Sequence, residues 1–298
     1  MKITMLGTGA ALPDPDRCQS AILVTLDCGE HYLLDCGHGA TRQMVRANVN
    51  PADVKRVLLT HLHHDHIAEL PYFVISSWIL NRVGAPQIIG PAGTVRFVGH
   101  LFENGAFDLD LRARAHYPAR TANIEAMRPH VNEYSSEGTI YQDEHVRISA
   151  IEVDHIEREI ASCYGFRIEA EGKIVSYSGD TKPCAGARKL AQDADLLIHE
   201  CTFPEAFIEH RRKTGAGTFA HTSPLELGRL AASARVKTLV ATHIGHVDSL
   251  SPVLKRAASG HLPTDLMGPQ QLDAMAADIR KAYAGPFHIA HDLMRIDL

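Results

Sequence analysis

The sequence predicts an α/β protein built on layered sheets, and three observations support this fold class. Short apolar strands alternate with helical segments through both halves of the chain. No linker or low-complexity segment separates the halves, so we expect one domain over residues 1–298. Five strands in succession end at a residue type that binds metals: His61, His155, Asp180, His199 or Glu200, and His243. If these strand ends converge on one sheet edge, their side chains gather in a single cleft.

The composition is typical of a soluble globular protein, with 45% hydrophobic and 22% charged residues. A net charge of −5 and a pI of about 6.4 give no basic signature for a broad nucleic-acid groove. No apolar run is long enough to cross a membrane, and the N-terminus does not resemble a signal peptide. The six dispersed cysteines form no Cys-x-x-Cys pair, which favours the reducing cytoplasm. The 19 histidines are the compositional outlier.

The first part of the chain predicts strands followed by one helix. Residues 2–6 alternate as a strand that ends in the turn Gly7-Thr8-Gly9, where glycine permits a tight backbone. Two hairpin strands are expected at 21–26 and 31–35, and a helix at 40–48 stops at Asn50-Pro51.

The segment from Thr60 to His66 carries the strongest chemical signal. Four metal-binding side chains, His61, His63, Asp65 and His66, follow the apolar run 57–59 directly. This pattern predicts a buried strand, a short ligand-bearing loop and then a helix. His61 and His63 can converge on one ion, while Asp65 and His66 lie around the turn and can reach a second. The alternative is a solvated histidine-rich turn that binds no metal.

The stretch after this motif is expected to cover the active face. A helix at 70–78, a strand at 87–89 and a helix at 94–101 are predicted, but from 103 to 144 the periodicity is poor. We therefore predict a lid-like insertion around residues 72–144. Aromatic side chains here either line a pocket for an aryl group or belong to the core: Tyr72, Trp78, Phe102 and Phe107.

The second half repeats the alternation of strands and helices. Strands are predicted at 146–153, 163–169, 173–177, 195–198, 238–241 and 287–290. Helices are predicted at 185–191, 223–233 and 270–283, the second with Ser223 as its cap and Pro224 in its first turn.

These motifs, in this order, resemble the metallo-β-lactamase superfamily over nearly the whole chain. The matching features are His-x-His-x-Asp-His at 61–66, the isolated His155, Ser-Gly-Asp-Thr around Asp180, and the late Thr242-His243. The resemblance implies a four-layered αββα sandwich with a binuclear metal site. By position, His61, His63 and His155 would hold one ion, and Asp65, His66 and His243 the other, with Asp180 bridging them. The nitrogen-rich ligand set implies two Zn²⁺ ions, with Mn²⁺ or Fe²⁺ as possible substitutes.

Within that superfamily, the chain is similar to the ribonuclease Z and arylsulfatase-like branch. The similarity rests on the segments 199–203, 220–223 and 290–294. It implies that Glu200 and His221 form an acid pair and that Asp65 orients the nucleophile, although Glu200 and His221 could instead be an ion pair closing the cleft wall. Members that process transfer RNA insert a long basic arm between the positions of His155 and Asp180, where only 24 residues lie here.

The resemblance therefore implies a binuclear zinc-dependent hydrolase that uses a metal-bridging hydroxide on a small-molecule ester, either a phosphodiester or an aryl sulfate. The principal alternative is a ribonuclease Z-like endonuclease acting at the 3′ end of transfer RNA, for which 211–213 would be the basic surface. Hydrolytic dehalogenation of an aromatic compound, lactone hydrolysis and a non-enzymatic metal-stabilised binding role also stay open. We expect no membrane partner, a less favoured nucleic-acid partner and, by family resemblance, a homodimer.

Overall fold

A computed structural model describes residues 1–121, 123–215, 220–259 and 262–298. The chain forms two compact units, and each contains one seven-stranded mixed sheet with its own helices. Unit 1 comprises Met1–Gly7, Gln19–Ser135 and Leu293–Asp297, and unit 2 comprises Thr8–Cys18, Ser136–Asp292 and Leu298. The α/β class is confirmed, and the single domain over 1–298 stays a prediction.

The strands follow the apolar segments of the sequence. In chain order they are β1 (Lys2–Gly7), β2 (Ala21–Thr25), β3 (His31–Leu34), β4 (Arg56–Leu58), β5 (Gln87–Pro91), β6 (His130–Tyr134), β7 (Gly138–Gln142), β8 (Val146–Val153), β9 (Cys163–Ala170), β10 (Lys173–Tyr177), β11 (Leu196–Glu200), β12 (Thr238–Thr242), β13 (Phe287–Ile289) and β14 (Arg295–Asp297). The sheet of unit 1 has the order β14-β1-β2-β3-β4-β5-β6, and that of unit 2 has β13-β12-β11-β10-β9-β8-β7.

The helices lie in the stretches between these strands. They are α1 (Ala40–Arg46), α2 (His64–Ile67), α3 (Leu70–Ile79), α4 (Thr94–Phe102), α5 (Asp108–Ala115) and α6 (Pro118–Thr121) in unit 1, and α7 (Ala185–Ala191), α8 (Glu205–Thr214), α9 (Pro224–Ser233), α10 (Pro252–Ala258) and α11 (Gln270–Arg280) in unit 2. The predicted cap of α9 is present, because Ser223 and Glu226 form a reciprocal capping box.

Each unit has its own apolar core. In unit 1, the inward side chains of the strands pack with those of α1, α3 and α4, including the fully buried Phe73 and Trp78. In unit 2, α9 and α11 pack on the parallel strands through residues such as Leu227, Met275 and Ile279. Trp78 and Phe102 thus belong to the core rather than to an aryl pocket, whereas Tyr72 is exposed.

The stretch 103–144 is more regular than its weak periodicity predicts. It contains α5, β6 and β7, and only position 122 within the predicted insertion lies outside the described residues. Buried Arg82 donates to the carbonyl oxygen of Ala126 at 2.7 Å, and the indole of Trp78 donates to that of Asn123 at 2.8 Å. These contacts anchor residues 123–126 to the end of α3. A role as a lid stays a prediction.

Outside the stretch 103–144, whose α5, α6, β6 and β7 were not predicted either, the described residues contain three further elements that the sequence prediction lacked: α8, α10 and β14. Helix α8 is polar over most of its surface and buries only Phe207 and Ile208, so it gives little apolar periodicity. Cys163 and Cys201 are buried as predicted, while Cys184 is half-buried at the start of α7. Within the described residues, no helix combines the length and apolarity needed to cross a membrane.

Candidate metal centre

The motif of unit 1 lies where the sequence predicts it. Strand β4 ends at Leu58, the ligand loop follows, and α2 begins at His64. The ring of His61 lies 4.7 Å from that of His63 and 4.2 Å from that of His66, measured between centroids. His61, Asp65 and His66 are buried, whereas His63 and His64 are exposed. His61, His63, Asp65 and His66 each belong to a group of side chains close enough to hold a metal ion.

A carboxylate and a hydroxyl orient two of these rings. Asp35, directly after β3, accepts from the Nδ1–H of His66 at 2.7 Å and from the hydroxyl of Thr60 at 2.9 Å. Because that hydroxyl donates to Asp35, its oxygen accepts from the Nδ1–H of His61 at 3.0 Å. This hydrogen bonding assigns the proton to Nδ1 in both rings and gives both Nε2 atoms the lone pair that a metal needs.

The backbone around Asp35 is tightly constrained. Asp35 has a φ of 57°, in the left-handed region that aspartate tolerates better than most residues. Two residues on, a Cβ atom at Gly37 would lie 2.2 Å from the carbonyl oxygen of Asp65, so only glycine fits there. The Asp-Cys-Gly at 35–37 is therefore built to hold the ligand loop at close range.

Unit 2 gathers the later predicted ligands. One carboxylate oxygen of Asp180, after β10, lies 3.3 Å from Nε2 of His243 and 3.6 Å from Nε2 of His155. The Nδ1–H of His155 donates to the carbonyl oxygen of Ala220 at 3.0 Å, which again leaves the lone pair on Nε2. A carboxylate oxygen this close to two imidazole nitrogens is placed as a ligand that bridges two metal ions would be. His155, Asp180 and His243 also belong to groups close enough to hold an ion.

The predicted acid pair forms beside them. The Nδ1–H of His221 donates to one carboxylate oxygen of Glu200 at 2.9 Å, and the backbone N–H of Thr181 donates to the same oxygen at 3.0 Å. Glu200 is fully buried, while the His221 side chain is 22% exposed. Its ring stacks on that of His243 with centroids 5.7 Å apart. His221 is thus held by a buried carboxylate while part of its side chain stays exposed.

Strand β11 ends in two candidate ligands, and the structure separates their roles. Glu200 faces His221, whereas the Nδ1–H of His199 donates to the backbone oxygen of Glu200 at 2.8 Å. Burial lowers the pKa of His199, as it does that of His155, so both rings favour the neutral form. Among the described residues, His199 belongs to no group that could hold a metal ion.

Sequence reasoning missed the residues that orient the ligands, namely Asp35, Thr60 and Thr202. The available signal was position, because each of the three lies within two residues of the end of a strand. Asp35 follows β3, Thr60 follows β4 and Thr202 follows β11. Threonine and aspartate are too common at strand ends for that signal to be specific. The orienting hydrogen bonds become visible only with the side chains in place.

Solved structures with a similar fold match the whole chain. The metallo-β-lactamase fold protein YhfI from Bacillus subtilis has a TM-score of 0.69 at 20% identity, covering 99% of this chain and 98% of that one. The short form of human tRNase Z also has a TM-score of 0.69, at 23% identity, covering 100% and 99% of the two chains. The chain therefore has the predicted αββα fold of the metallo-β-lactamase class.

Sequence relatives identify its place within that class. Residues 1–243 match the family described as anti-Pycsar protein Apyc1. A ribonuclease Z of Mycobacterium marinum is 34% identical over 306 residues, covering 100% of this chain and 99% of that protein, and one of Mycobacterium bovis is 33% identical over 304 residues. The chain belongs to the anti-Pycsar Apyc1 family, among the metallo-β-lactamase-superfamily hydrolases close to ribonuclease Z. It is a metal-dependent hydrolase.

Proposed function

We propose that this chain is a two-metal phosphodiesterase of the ribonuclease Z type, which cuts a phosphodiester bond near the 3′ end of precursor transfer RNA. The observation that carries the proposal is the similarity to ribonucleases Z over the full length of the chain. The arrangement of Asp180 and the Glu200–His221 pair in unit 2 supports the chemistry.

The donor set fits two borderline divalent ions, and zinc is the ion we propose. His61, His66 and His155 each commit Nδ1–H to a protein acceptor, which leaves Nε2 for a metal. Following the family resemblance, His61, His63 and His155 would hold one ion, and Asp65, His66 and His243 the other, with Asp180 bridging them. Two bound ions supply Lewis-acid activation of water and of the phosphate.

Side chains of the protein would move the protons. We assign Asp65 to orient the attacking water and accept its proton. His221 would then donate a proton from Nε2 to the leaving oxygen, while its Nδ1–H stays bound to Glu200. The buried carboxylate would stabilise the charged ring before transfer, and the partial exposure of the His221 side chain would let a leaving group reach it.

A second candidate is hydrolysis of a small phosphodiester or aryl sulfate ester. The connection between β8 and β9, residues 154–162, is too short to hold a long basic arm. That arm is the usual source of positioning electrostatics for RNA. The alignment with the Mycobacterium marinum protein spans 306 residues and nearly the whole of both chains, so that relative also lacks room for a long insertion. The short connection therefore does not separate this chain from relatives named ribonuclease Z.

The test is one zinc-loaded preparation assayed against precursor transfer RNA, bis(4-nitrophenyl) phosphate and 4-nitrophenyl sulfate. The proposal expects a cut at the 3′ end of the RNA, and kcat/KM for that RNA well above the value for either small ester. Metal removal should abolish all cleavage, and His221→Ala should slow it. Turnover of the small phosphodiester alone, with no RNA cleavage at any salt concentration, would replace the proposal with the second candidate. The predicted homodimer is checked by the mass of the same preparation in solution.

A further inference from the structure

We propose that Thr202 is a positioning residue whose single hydroxyl fixes the proton of His243, and of His221, on Nδ1. The hydroxyl oxygen lies 3.1 Å from Nδ1 of His243, 3.3 Å from Nδ1 of His221 and 3.1 Å from a carboxylate oxygen of Glu200. One oxygen atom thus joins a candidate metal ligand to the candidate acid pair. The catalytic consequence rests on the proposed function, but the proton placement does not.

The numbers of available donors and acceptors determine the direction of each hydrogen bond at the Thr202 hydroxyl. A threonine hydroxyl has one proton to donate and two lone pairs to accept with. A carboxylate only accepts, so the hydroxyl proton goes to Glu200. Both contacts from the histidines must then be Nδ1–H donations to the threonine oxygen. His221 shares its Nδ1–H with the other oxygen of Glu200 at 2.9 Å, while His243 has Thr202 as its acceptor at this nitrogen.

A proton on Nδ1 suits His243 as a proposed metal ligand and His221 as the proposed acid. In His243, a proton on Nδ1 leaves the lone pair on Nε2, the nitrogen that lies 3.3 Å from Asp180. In His221, Nε2 becomes the nitrogen that gains and releases a proton during catalysis. Without the hydroxyl, His243 would lose the acceptor that favours this tautomer, and the two neutral forms would become closer in free energy.

The backbone holds Thr202 rigidly in place. Its side chain is buried, and its carbonyl oxygen accepts from the N–H of Gly245 at 2.9 Å. The neighbouring N–H of Cys201 donates to the carbonyl oxygen of Thr242 at 2.8 Å. A Cβ atom at Gly245 would lie 2.9 Å from the Thr202 oxygen, so the segment after β12 can pass this close only with glycine there. The ends of β11 and β12 therefore set Thr202 beside His243.

The matched variants are Thr202→Val, which replaces the hydroxyl with a methyl group, and Thr202→Ser, which keeps the hydroxyl. Thr222→Val is the control, since the equally buried hydroxyl of Thr222 donates to a backbone oxygen of Thr181 at 2.7 Å and touches no ring nitrogen in that bond. The first readout is two-bond ¹H–¹⁵N NMR of metal-free protein, which shows which ring nitrogen carries the proton. The second is competition with a chelator, which gives the zinc affinity.

We expect wild type, Thr202→Ser and Thr222→Val to show His243 protonated on Nδ1, and Thr202→Val to show a mixture or the Nε2 form. The zinc affinity of Thr202→Val should fall by about 10- to 100-fold, with Thr202→Ser close to wild type. Thr202→Val with an unchanged tautomer and unchanged affinity would overturn the proposal. A Thr222→Val variant that shifts the tautomer as much as Thr202→Val would also overturn it. Neither readout depends on the substrate, so failure to cleave RNA leaves this test intact.

Discussion

In unit 1 the sheet passes through three antiparallel pairings and then three parallel ones, and unit 2 repeats this order. The change of direction falls at β3 in unit 1 and at β10 in unit 2. An aspartate follows each of these strands: Asp35 after β3 and Asp180 after β10. In unit 1 the aspartate accepts hydrogen bonds from His66 and Thr60, whereas in unit 2 it lies between two ring nitrogens.

Both units also use a threonine hydroxyl that donates to a buried carboxylate. In unit 1 the pair is Thr60 with Asp35, and in unit 2 it is Thr202 with Glu200. Each threonine oxygen then accepts from a histidine Nδ1–H and so presents Nε2. The same solution for orienting an imidazole thus appears twice.

The two units differ in the histidine that donates directly to the carboxylate. Asp35 binds His66, which is fully buried, while Glu200 binds His221, which is partly open to solvent. A partly exposed ring can be reached by a substrate and exchange a proton with it, whereas the fully buried ring of His66 is suited to a fixed role. The comparison agrees with the proposed function, in which both units contribute metal ligands and unit 2 contributes the proton for the leaving group.

The largest expected effect is the difference between removing a proposed metal ligand and removing the proposed acid. His66→Ala in unit 1 should remove one ion and nearly all activity. His221→Ala in unit 2 should keep the metal content of wild type and lower kcat by about 100- to 10,000-fold. Elemental analysis and steady-state kinetics on the same samples check both outcomes. A His221→Ala variant that loses metal would remove the distinction drawn between the two units.

A smaller effect is expected from the orienting carboxylate of unit 1. Asp35→Asn keeps the size and tolerates the left-handed backbone, but it removes the charge that accepts from Thr60 and His66. Zinc affinity should fall by about 10- to 100-fold, as proposed for Thr202→Val in unit 2. Chelator competition measures this. Equal zinc affinities for Asp35→Asn and wild type would show that Asp35 does not support metal binding in the way proposed for Thr202.

Acid should destabilise the metal-free protein mainly through unit 2. Burial lowers the pKa of His199, so below the unfolded value of about 6.5 the unfolded chain binds a proton that the folded chain does not. Stability is therefore complete above that pH and falls as the pH drops through it. His199→Asn should flatten the slope between pH 6.5 and 5 by up to about 1.4 kcal/mol per pH unit. His31→Asn in unit 1 is the matched comparison, since burial lowers the pKa of His31 as well. Urea titrations at several pH values measure the slopes, and a larger change at His31 would reverse the assignment.

The smallest effect is expected at His64, the exposed member of the motif. Its side chain is 69% exposed, and its Nδ1 lies 3.8 Å from Asp65. His64→Ala should change kcat/KM by less than about twofold and stability by less than about 0.5 kcal/mol. Kinetics and thermal melts test this. A loss of metal from this variant would instead make His64 a ligand.

The sequence alone predicts the candidate metal ligands better than it predicts the residues that orient them. Ligand spacing is a local property, so His61 to His66 could be recognised within one loop, and Asp180 and His243 through their strand ends. The roles of Asp35 and Thr202 depend on which strands become neighbours, and β3 meets β4 across a gap of more than twenty residues. Helix α8 was missed because its surface is polar, and β14 because three residues give too short a pattern.

The left-handed backbone of Asp35 and of His243 affects how the protein survives in a cell. Asp35 and His243 both hold left-handed backbone conformations, at a φ of 57° each, and such positions cost on the order of 1–3 kcal/mol. At the proposed metal site, a metal-free chain would bear this cost alone, and metal binding would offset it. We therefore expect the abundance of the protein to follow the supply of metal, because unmetallated copies unfold more often and are degraded sooner.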